Sequence, residues 1–293
     1  MGRGGYGTVV VGTLHGTPVA MKVSHPKDRG KAKGMGQLAN ELRIFRRLRH
    51  PSIVNFHGVC IDSEKEAMTL MIELIWGIEL GHFMHVQRER VDEPCQTRML
   101  LDLFSAIRYL HTLKPVIVHG DLKPESVMVE QRAHGSNVWA QVRLIDFGGS
   151  HILDGSEKPM GGTLEWKAPE VILTKKCPAS TATDIFSLGR VVVFVVTGEK
   201  PFRGGDKKSV KRAMLDRVPV VPDWPNGRGG VPRSAECRRL VEDCLLFDPE
   251  DRPTIVVLHE TMQARLGTPA GATVPMSNFV GWTGGLATMH PYR

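Results

Sequence analysis

Aromatic side chains are scarce in this chain: phenylalanine, tryptophan and tyrosine make up 6% of 293 residues, and most sit inside apolar runs. Platforms for stacking bases are therefore few, which argues against nucleic acid as a partner. Cysteine is sparse too. The five cysteines, at 60, 95, 177, 237 and 244, form no CxxC pair; a disulfide framework is excluded, and a reducing, cytoplasmic setting is the expectation. No His or Cys cluster has metal-ligand spacing. Long apolar runs are missing as well. A membrane span needs roughly 18 apolar residues, whereas the longest run, Val191 to Val196, is closed by Arg190 on one side and by Glu199 and Lys200 on the other. The N-terminus carries no basic-then-apolar leader, and Tyr6 occupies the position where a myristoylation signal needs Ser or Thr. Membrane contact by this segment is not expected. Acidic residues are in deficit, 31 against 38 basic ones for a net charge of +7. The basic residues are dispersed, however, and read as solvated faces rather than a polyanion-binding surface.

What is present is a 41% hydrophobic chain without internal repeats, long enough to bury a substantial core. Thr8 to Thr13 and Pro18 to Ser24 are valine-rich and flank the turn-like Leu14 to Thr17, which predicts a hairpin. Leu42, Phe45 and Leu48, three residues apart, predict a helix over Asn40 to Arg49. Two further strands are expected at Asn55 to Ile61 and Met68 to Ile75. From about residue 80 the period becomes helical. Leu100, Leu103, Phe104, Ile107 and Leu110 form one face of a helix over Gln96 to Leu113. Another is expected over Ser234 to Phe247, with Ser234 as N-cap, and a last one from Pro253 to Leu266. Val191 to Val196 is β-branched and reads as a strand by propensity alone. Glu130 to Gln141 reads as a loop longer than a tight hairpin needs. Residues 267–293, rich in Gly, Pro and Thr, are expected to be disordered.

The chemistry-bearing stretches begin at Gly2-x-Gly4-x-x-Gly7. A dinucleotide fingerprint would be followed by a helix, yet Val9 to Val11 continue as strand, so this glycine loop lies within a hairpin and suits the covering of nucleotide phosphates by backbone N–H groups. Lys22 ends the next strand, and Glu41 follows nineteen residues on in a helix. A lysine held by such a glutamate is a cation kept still against α- and β-phosphates. Then comes VHGDLKPESV, 118 to 127, where two acids, a lysine and a hydroxyl fall within six residues directly after an apolar run.

In order the chain carries Gly2-x-Gly4-x-x-Gly7-x-Val9, Val19-Ala20-Met21-Lys22, Glu41, His119-Gly120-Asp121-Leu122-Lys123-Pro124-Glu125-Ser126, Asp146-Phe147-Gly148, Ala168-Pro169-Glu170, Asp184 and Arg252. Over roughly residues 2 to 266 this resembles the eukaryotic protein kinase family. The resemblance implies an α+β, bilobal protein kinase fold: a small β-rich lobe over 1–75 and a mostly helical lobe over 76–266. It implies ATP and Mg²⁺ or Mn²⁺ as cofactors and serine or threonine hydroxyls of proteins as substrates. Asp121 would accept or orient the substrate proton, Lys123 would sit near the γ-phosphate, and the Thr163 hydroxyl would bridge the two. Asp146 would ligate the metal, and Ser126 stands where the family has a second, asparagine ligand. Val9, Ala20 and Met128 would sandwich the adenine, Glu73 and Ile75 would bond its edge by their backbone, and Ile72 would be the gatekeeper. Phe147 would stack between Phe45 and His119. Asp184, on a helix over Asp184 to Thr197 that overrules the strand propensity of Val191 to Val196, would hold the catalytic loop, and Glu170 would pair with Arg252. Glu79 and Glu125 match positions that favour arginine upstream of the acceptor. Trp166 in TLEWKAPE leans toward the tyrosine-kinase-like branch of serine/threonine enzymes.

Three departures stand out. Gly120 replaces the arginine that, in the family, grips a phosphorylated residue of the activation segment, so activity here is expected to be independent of that pairing, although Ser150 and Ser156 are candidate modification sites. Ser126 offers a hydroxyl, a weaker metal ligand than an amide carbonyl. The glycine loop starts at residue 2, so part of the first strand of the family pattern is absent, and weakened ATP affinity is the expectation. Two readings stay open at this point: an enzyme, and a pseudokinase that binds nucleotide as a scaffold.

Overall fold

The computed structural model describes residues 3–4, 7–23, 32–62, 64, 67–87, 91–134, 137–155, 160–174, 176–204, 206–217 and 232–266. The chain opens with an antiparallel hairpin of β2 (Gly7–Leu14) and β3 (Thr17–Val23), preceded by the two-residue β1 (Arg3–Gly4). Helix α1 (Ala32–Phe45) follows, then β4 (Phe56–Asp62) and β5 (Ala67–Glu73). These strands form one five-stranded sheet in the order β1-β2-β3-β5-β4. The register sets Ala20 opposite Ile72 and Lys22 opposite Leu70, and Val9 opposite Lys22 on the other side. Side chains alternate faces along a strand, so Ala20 and Lys22 share one face. Both are buried.

Helix α1 begins eight residues before the expected start and ends at Phe45, with Arg46 and Arg47 in a turn. Its buried residues Leu38, Glu41, Ile44 and Phe45 recur at helical spacing and form one inward stripe that includes a carboxylate. Glu41 therefore sits in the tenth position of the helix rather than at its start. Leu48, the third residue of the periodicity used to predict the helix, is buried from the turn instead.

The rest of the chain is mainly helical. After β6 (Ile78–Glu79) come α2 (Leu80–Gln87) and α3 (Glu93–Thr112), the latter capped by Asp92, whose side chain accepts from the Cys95 N–H at 3.0 Å. A short β7 (Ile117–Val118) leads into the segment HGDLKPES; β8 (Val127–His134) and β9 (Asn137–Leu144) follow, then β10 (His151–Ile152), which pairs with β7. The loop expected over Glu130 to Gln141 is instead a continuous β8–β9 ladder running from Val127 opposite Leu144 to His134 opposite Asn137. Valines and a tryptophan at 138, 139 and 142 carry the strand on, and the polar His134 and Asn137 are its last pair.

Helix α4 (Pro169–Leu173) precedes α5 (Thr181–Thr197). The strand propensity of Val191 to Val196 is overruled, because Val191 to Val195 are all buried, as only an element surrounded by core can be. The ends of α5 are set by caps: the Ser180 hydroxyl accepts from the Ala182 N–H at 3.1 Å, and the Gly198 N–H closes on the Phe194 carbonyl at 2.7 Å. Helices α6 (Lys207–Leu215), α7 (Pro232–Cys244) and α8 (Ile255–Leu266) complete the chain. Ser234 lies inside α7 and is not its N-cap, the helix having begun at Pro232. The tail 267–293 falls outside the described residues.

The result is a β-sheet N-terminal lobe and a helical C-terminal lobe whose buried side chains form one continuous apolar cluster, from Ala20 and Leu70 through Leu103 and Ile107 to Val191 and Leu240. Among the described residues no helix is long and apolar enough to cross a membrane.

Candidate active site

Lys22, at 7% exposure, lies between two carboxylates: its Nζ donates to Glu41 Oε1 at 2.8 Å and to Asp146 Oδ1 at 2.9 Å. Burial alone would pull the ammonium down, but the two carboxylates more than offset it and hold Lys22 above its ordinary value. Burial likewise pushes Asp146 up, and the Lys22 charge, with hydrogen bonds from Lys22 and from the Gly148 N–H at 3.2 Å, outweighs it and keeps the carboxyl below its usual range. A fixed cation thus joins the β-sheet, helix α1 and the start of the segment after β9. Aromatic packing joins the same three parts. Phe45 stacks on Phe56 with ring centroids 5.7 Å apart and meets Phe147 edge-on at 5.2 Å, and Phe147 meets His119 at 5.3 Å.

The catalytic loop is held by its backbone from both sides. Asp184, buried on α5, accepts from the N–H groups of His119 at 2.7 Å and Gly120 at 2.9 Å, and contacts His111 Nε2 at 2.9 Å. Burial pushes Asp184 up, but its hydrogen bond to His111 and the nearby imidazoles and Gly120 N–H bring the net below the ordinary carboxylate value. The loop carbonyls are taken by two buried hydroxyls: Ser126 Oγ donates to Asp121 O at 3.0 Å, and Ser150 Oγ to His119 O at 2.8 Å. Ser126, expected as a metal ligand, commits its hydroxyl proton to the loop backbone. Ser150, 1% exposed, is not accessible to modification as expected, and Ser156 lies outside the described residues.

Asp121 itself is oriented by two donors, the Thr163 N–H on Oδ1 at 2.7 Å and Lys123 Nζ on Oδ2 at 2.8 Å. Lys123 also donates to Thr163 Oγ1 at 2.7 Å. The bridge expected from the Thr163 hydroxyl is therefore shared: the hydroxyl serves Lys123, and the backbone N–H serves Asp121.

Gly120 has φ of 78°, and a Cβ there would lie 2.4 Å from the carbonyl oxygen of Gly149. The glycine is a packing requirement. Gly120 and Gly149 let the segment after Asp146-Phe147-Gly148 lie directly on the catalytic loop, and Asn40 Nδ2 on α1 donates to Ser150 O at 3.0 Å. An exposed Arg43–Asp154 ion pair adds a second tie from α1 to that segment. Gly120→Ala is expected to cost about 2 kcal/mol or more, from left-handed backbone strain plus the backbone clash, lowering the melting temperature by roughly 4 °C or more in a calorimetric scan.

The residues expected to face the nucleotide lie in the sheet and beside it. Ala20 is buried, and Val9 and Met128 are half-buried. Gly4 and Gly7 are paired across β1 and β2, with Gly2 outside the described residues. At the chain's crossing from sheet to helices, the Glu73 N–H goes to Asn55 O at 2.8 Å. The Glu73 carboxylate takes Asn55 Nδ2 at 2.9 Å and Arg143 Nη1 at 2.8 Å. This bolts the crossing to β9, which leads to Asp146. Ile72 and Ile75 are buried. Glu79 pairs with Met128 across β6 and β8, and partial burial followed by the Glu125 charge raises its carboxyl. Beyond the site, Arg252 uses all five of its N–H donors: two on Glu170 at 2.7 and 2.8 Å, the others on the carbonyls of Ala182, Leu246 and Phe247.

The donor set suits a hard divalent ion bound mostly through phosphate and water. Asp146 Oδ1 is taken by Lys22 and Gly148 while its side chain stays 26% exposed, and among the described residues no group of three or more His, Cys, Asp or Glu forms a protein cage. Mg²⁺ accepts such a site, keeping several waters beside one or two carboxylates.

A model of the protein kinase domain matches residues 1–265, and the chain belongs to that family. It is 29% identical, over 94% of its length, to a probable serine/threonine-protein kinase SIS8 of Arabidopsis thaliana, covering 25% of that protein. It is 28% identical over 90% of its length to a probable serine/threonine-protein kinase drkC of Dictyostelium discoideum, covering 34%. To the serine/threonine-protein kinase CTR1 of Arabidopsis thaliana it is 27% identical over 90%, covering 30%. The chain thus spans a quarter to about a third of the length of these relatives.

Sequence reasoning missed Ser150, Asn40, Gly149 and His111. Their roles come from hydrogen bonds or close approaches across 28 to 110 residues of chain, for which no local pattern exists.

Proposed function

We propose that this chain transfers the γ-phosphate of ATP to serine and threonine hydroxyls of proteins, with Mg²⁺ or Mn²⁺ held by Asp146. The observation that carries this is Lys22 seated between Glu41 and Asp146 while Asp121 is held by its own two donors. That the side chains expected to position phosphate and those expected to position the hydroxyl are each held by fixed partners supports this reading. Phosphoryl transfer asks chiefly for placement and charge neutralisation. Lys22 fixes the α- and β-phosphates beneath Gly4 and Gly7, with the base between Ala20, Val9 and Met128. Asp121 orients the acceptor hydroxyl and takes its proton; Lys123 and Thr163 hold that carboxylate still, and Lys123 lends its charge to the migrating phosphoryl group. The divalent ion, when bound, neutralises charge on the phosphates. Glu79 and Glu125 favour an arginine upstream of the acceptor. A cytoplasmic setting is supported by the free, buried thiols of Cys95, Cys177 and Cys244.

Ser126 no longer argues for a scaffold, because a serine suffices for the loop-bracing bond that it makes. The reading is tested by Mg²⁺- and Mn²⁺-dependent transfer of ³²P from ATP to a generic basic protein; incorporation no greater than that of an Asp146→Ala control overturns it. Ser126→Asn supplies an amide that can both donate to Asp121 O and present a carbonyl to the metal. It is expected to lower the Mg²⁺ concentration for half-maximal transfer roughly tenfold, as ligand-shell changes do, measured by Mg²⁺ titration of the initial rate.

A further inference from the structure

Lys22 and Arg252 are buried cations with carboxylates to neutralise them. Arg190 is buried more deeply, at 1% exposure in the apolar run of α5, and among the described residues it has no carboxylate partner. The Phe186 ring lies between the two arginines, 4.6 Å from the guanidinium carbon of Arg190 and 4.9 Å from that of Arg252, so Arg190 also faces a like charge. Burial, then the charge of Arg252, brings the guanidinium down to about 9, still protonated at neutral pH. A buried charge with no counter-ion lowers stability. An apolar side chain, like the buried Val191 to Val195 that follow it, would carry no such cost.

What the guanidinium does is hold a turn. Its Nη1 donates to the carbonyl oxygens of Glu165 at 2.5 Å and Lys167 at 3.1 Å, and Ser187 Oγ, three residues earlier on the same face of α5, donates to that of Trp166 at 2.8 Å. The carbonyls of Glu165, Trp166 and Lys167, in and just after the short 3-10 turn Leu164–Trp166, are thus all fastened to one helix. The head itself is clamped: Nη2 lies 3.9 Å from Met214 Sδ on α6, the Phe202 ring is 4.9 Å from the guanidinium carbon, and Nε alone is left without a partner. Thr163 opens the turn. Its N–H meets Asp121 Oδ1 and its hydroxyl accepts from Lys123, so where the turn sits decides where Asp121 points.

Resting on the kinase reading above, we propose that Arg190 is a positioning residue for the transfer: it fixes the turn after Thr163, and through Thr163 the orientation of the Asp121 carboxylate, at the expense of fold stability. It touches neither substrate nor nucleotide. The rate gains because a catalytic group misplaced by about 1 Å loses on the order of a hundredfold, whereas the fold carries an uncompensated charge.

The test compares the whole chain with its Arg190→Met and Arg190→Lys variants. Methionine removes the charge and the donors while filling a similar volume, and Glu165 and Lys167 are half-buried, so water can reach the carbonyls it frees. Arg190→Met is expected to melt at or above the wild-type temperature, while its kcat on a serine peptide of alanine and arginine background falls about thirtyfold and its KM for ATP is unchanged. Arg190→Lys keeps the charge and one carbonyl within reach; it should recover part of the rate and melt below the methionine variant. Rate and stability then rank the two variants in opposite order, which the loss of a merely structural residue does not produce. Deuterium uptake over Thr163 to Lys167, read by mass spectrometry, should rise in Arg190→Met. A methionine variant that fails to fold, melts well below wild type or keeps the wild-type kcat overturns the positioning role and leaves the kinase reading standing. Uptake that rises in Arg190→Met while no form of the chain transfers phosphate overturns the kinase reading and keeps the hold on the turn. Unchanged uptake overturns that hold, and with no transfer in wild type it overturns both.

Discussion

Asp146→Asn is expected to lower kcat about a thousandfold while leaving the fold in place. The substitution keeps the size of the side chain but removes the charge that anchors Lys22 and that, on the proposed reading, offers an oxygen to the divalent ion. Loss of one preorganised electrostatic contact at a phosphoryl or acyl centre costs on the order of 10² to 10³ in rate, and a charge acting directly on the transferred group costs more. Lys22 keeps its bond to Glu41 at 2.8 Å, so the sheet–helix contact survives and the circular-dichroism spectrum should remain that of the folded chain. The depressed carboxyl adds a pH dependence. Its folded value lies below the ordinary one, so its contribution to stability is present above the unfolded carboxylate value and is lost only as pH falls through the folded one. The Asn variant should therefore lose part of the wild type's acid-induced drop in stability. Activity within tenfold of wild type would remove the metal role assigned to Asp146.

Arg252→Met should unfold the C-terminal lobe most readily. Its guanidinium is fully covered, with the Glu170 carboxylate 17% exposed, and its removal strands that carboxylate together with the carbonyls of Ala182, Leu246 and Phe247. Breaking one side of a buried pair typically costs 3–5 kcal/mol, roughly, because the remaining charge stays uncompensated. For a domain of this size that corresponds to a fall of about 10 °C in melting temperature. Apolar replacement of both partners is often neutral, so Glu170→Leu added to Arg252→Met should recover a large part of the loss. A single variant that melts like wild type would show the pair to be ornamental.

Much of the site was legible because each motif is local. Lys22 at a strand end, Asp121-x-Lys123, Asp146-Phe147-Gly148 and Ala168-Pro169-Glu170 place reactive groups within a few bonds of each other, and their order along the chain is itself informative. Glu41 was legible as a partner but not as to where it sits in α1, since the helix begins among Ala32 to Gly36, where apolar periodicity is weak. Val191 to Val196 shows the converse. Side-chain branching favours a strand, and burial on all sides, with Ser180 and Gly198 as caps, makes a helix. The β8–β9 ladder was hidden because turn-forming residues occur at its tip and look the same in a long loop as in a tight hairpin.

By itself the sequence determined the inventory of charged groups, the family and the order in which the groups arrive, since these depend on residue identity and short spacing. Tertiary structure alone decided why residue 120 is glycine and residue 126 serine. It placed a backbone oxygen of Gly149 where any side chain at 120 would stand, and it turned the Ser126 hydroxyl onto the Asp121 carbonyl. Both follow from contacts between segments distant along the chain or folded back on themselves, and close packing in three dimensions, unlike local propensity, is not written in any neighbouring run of residues.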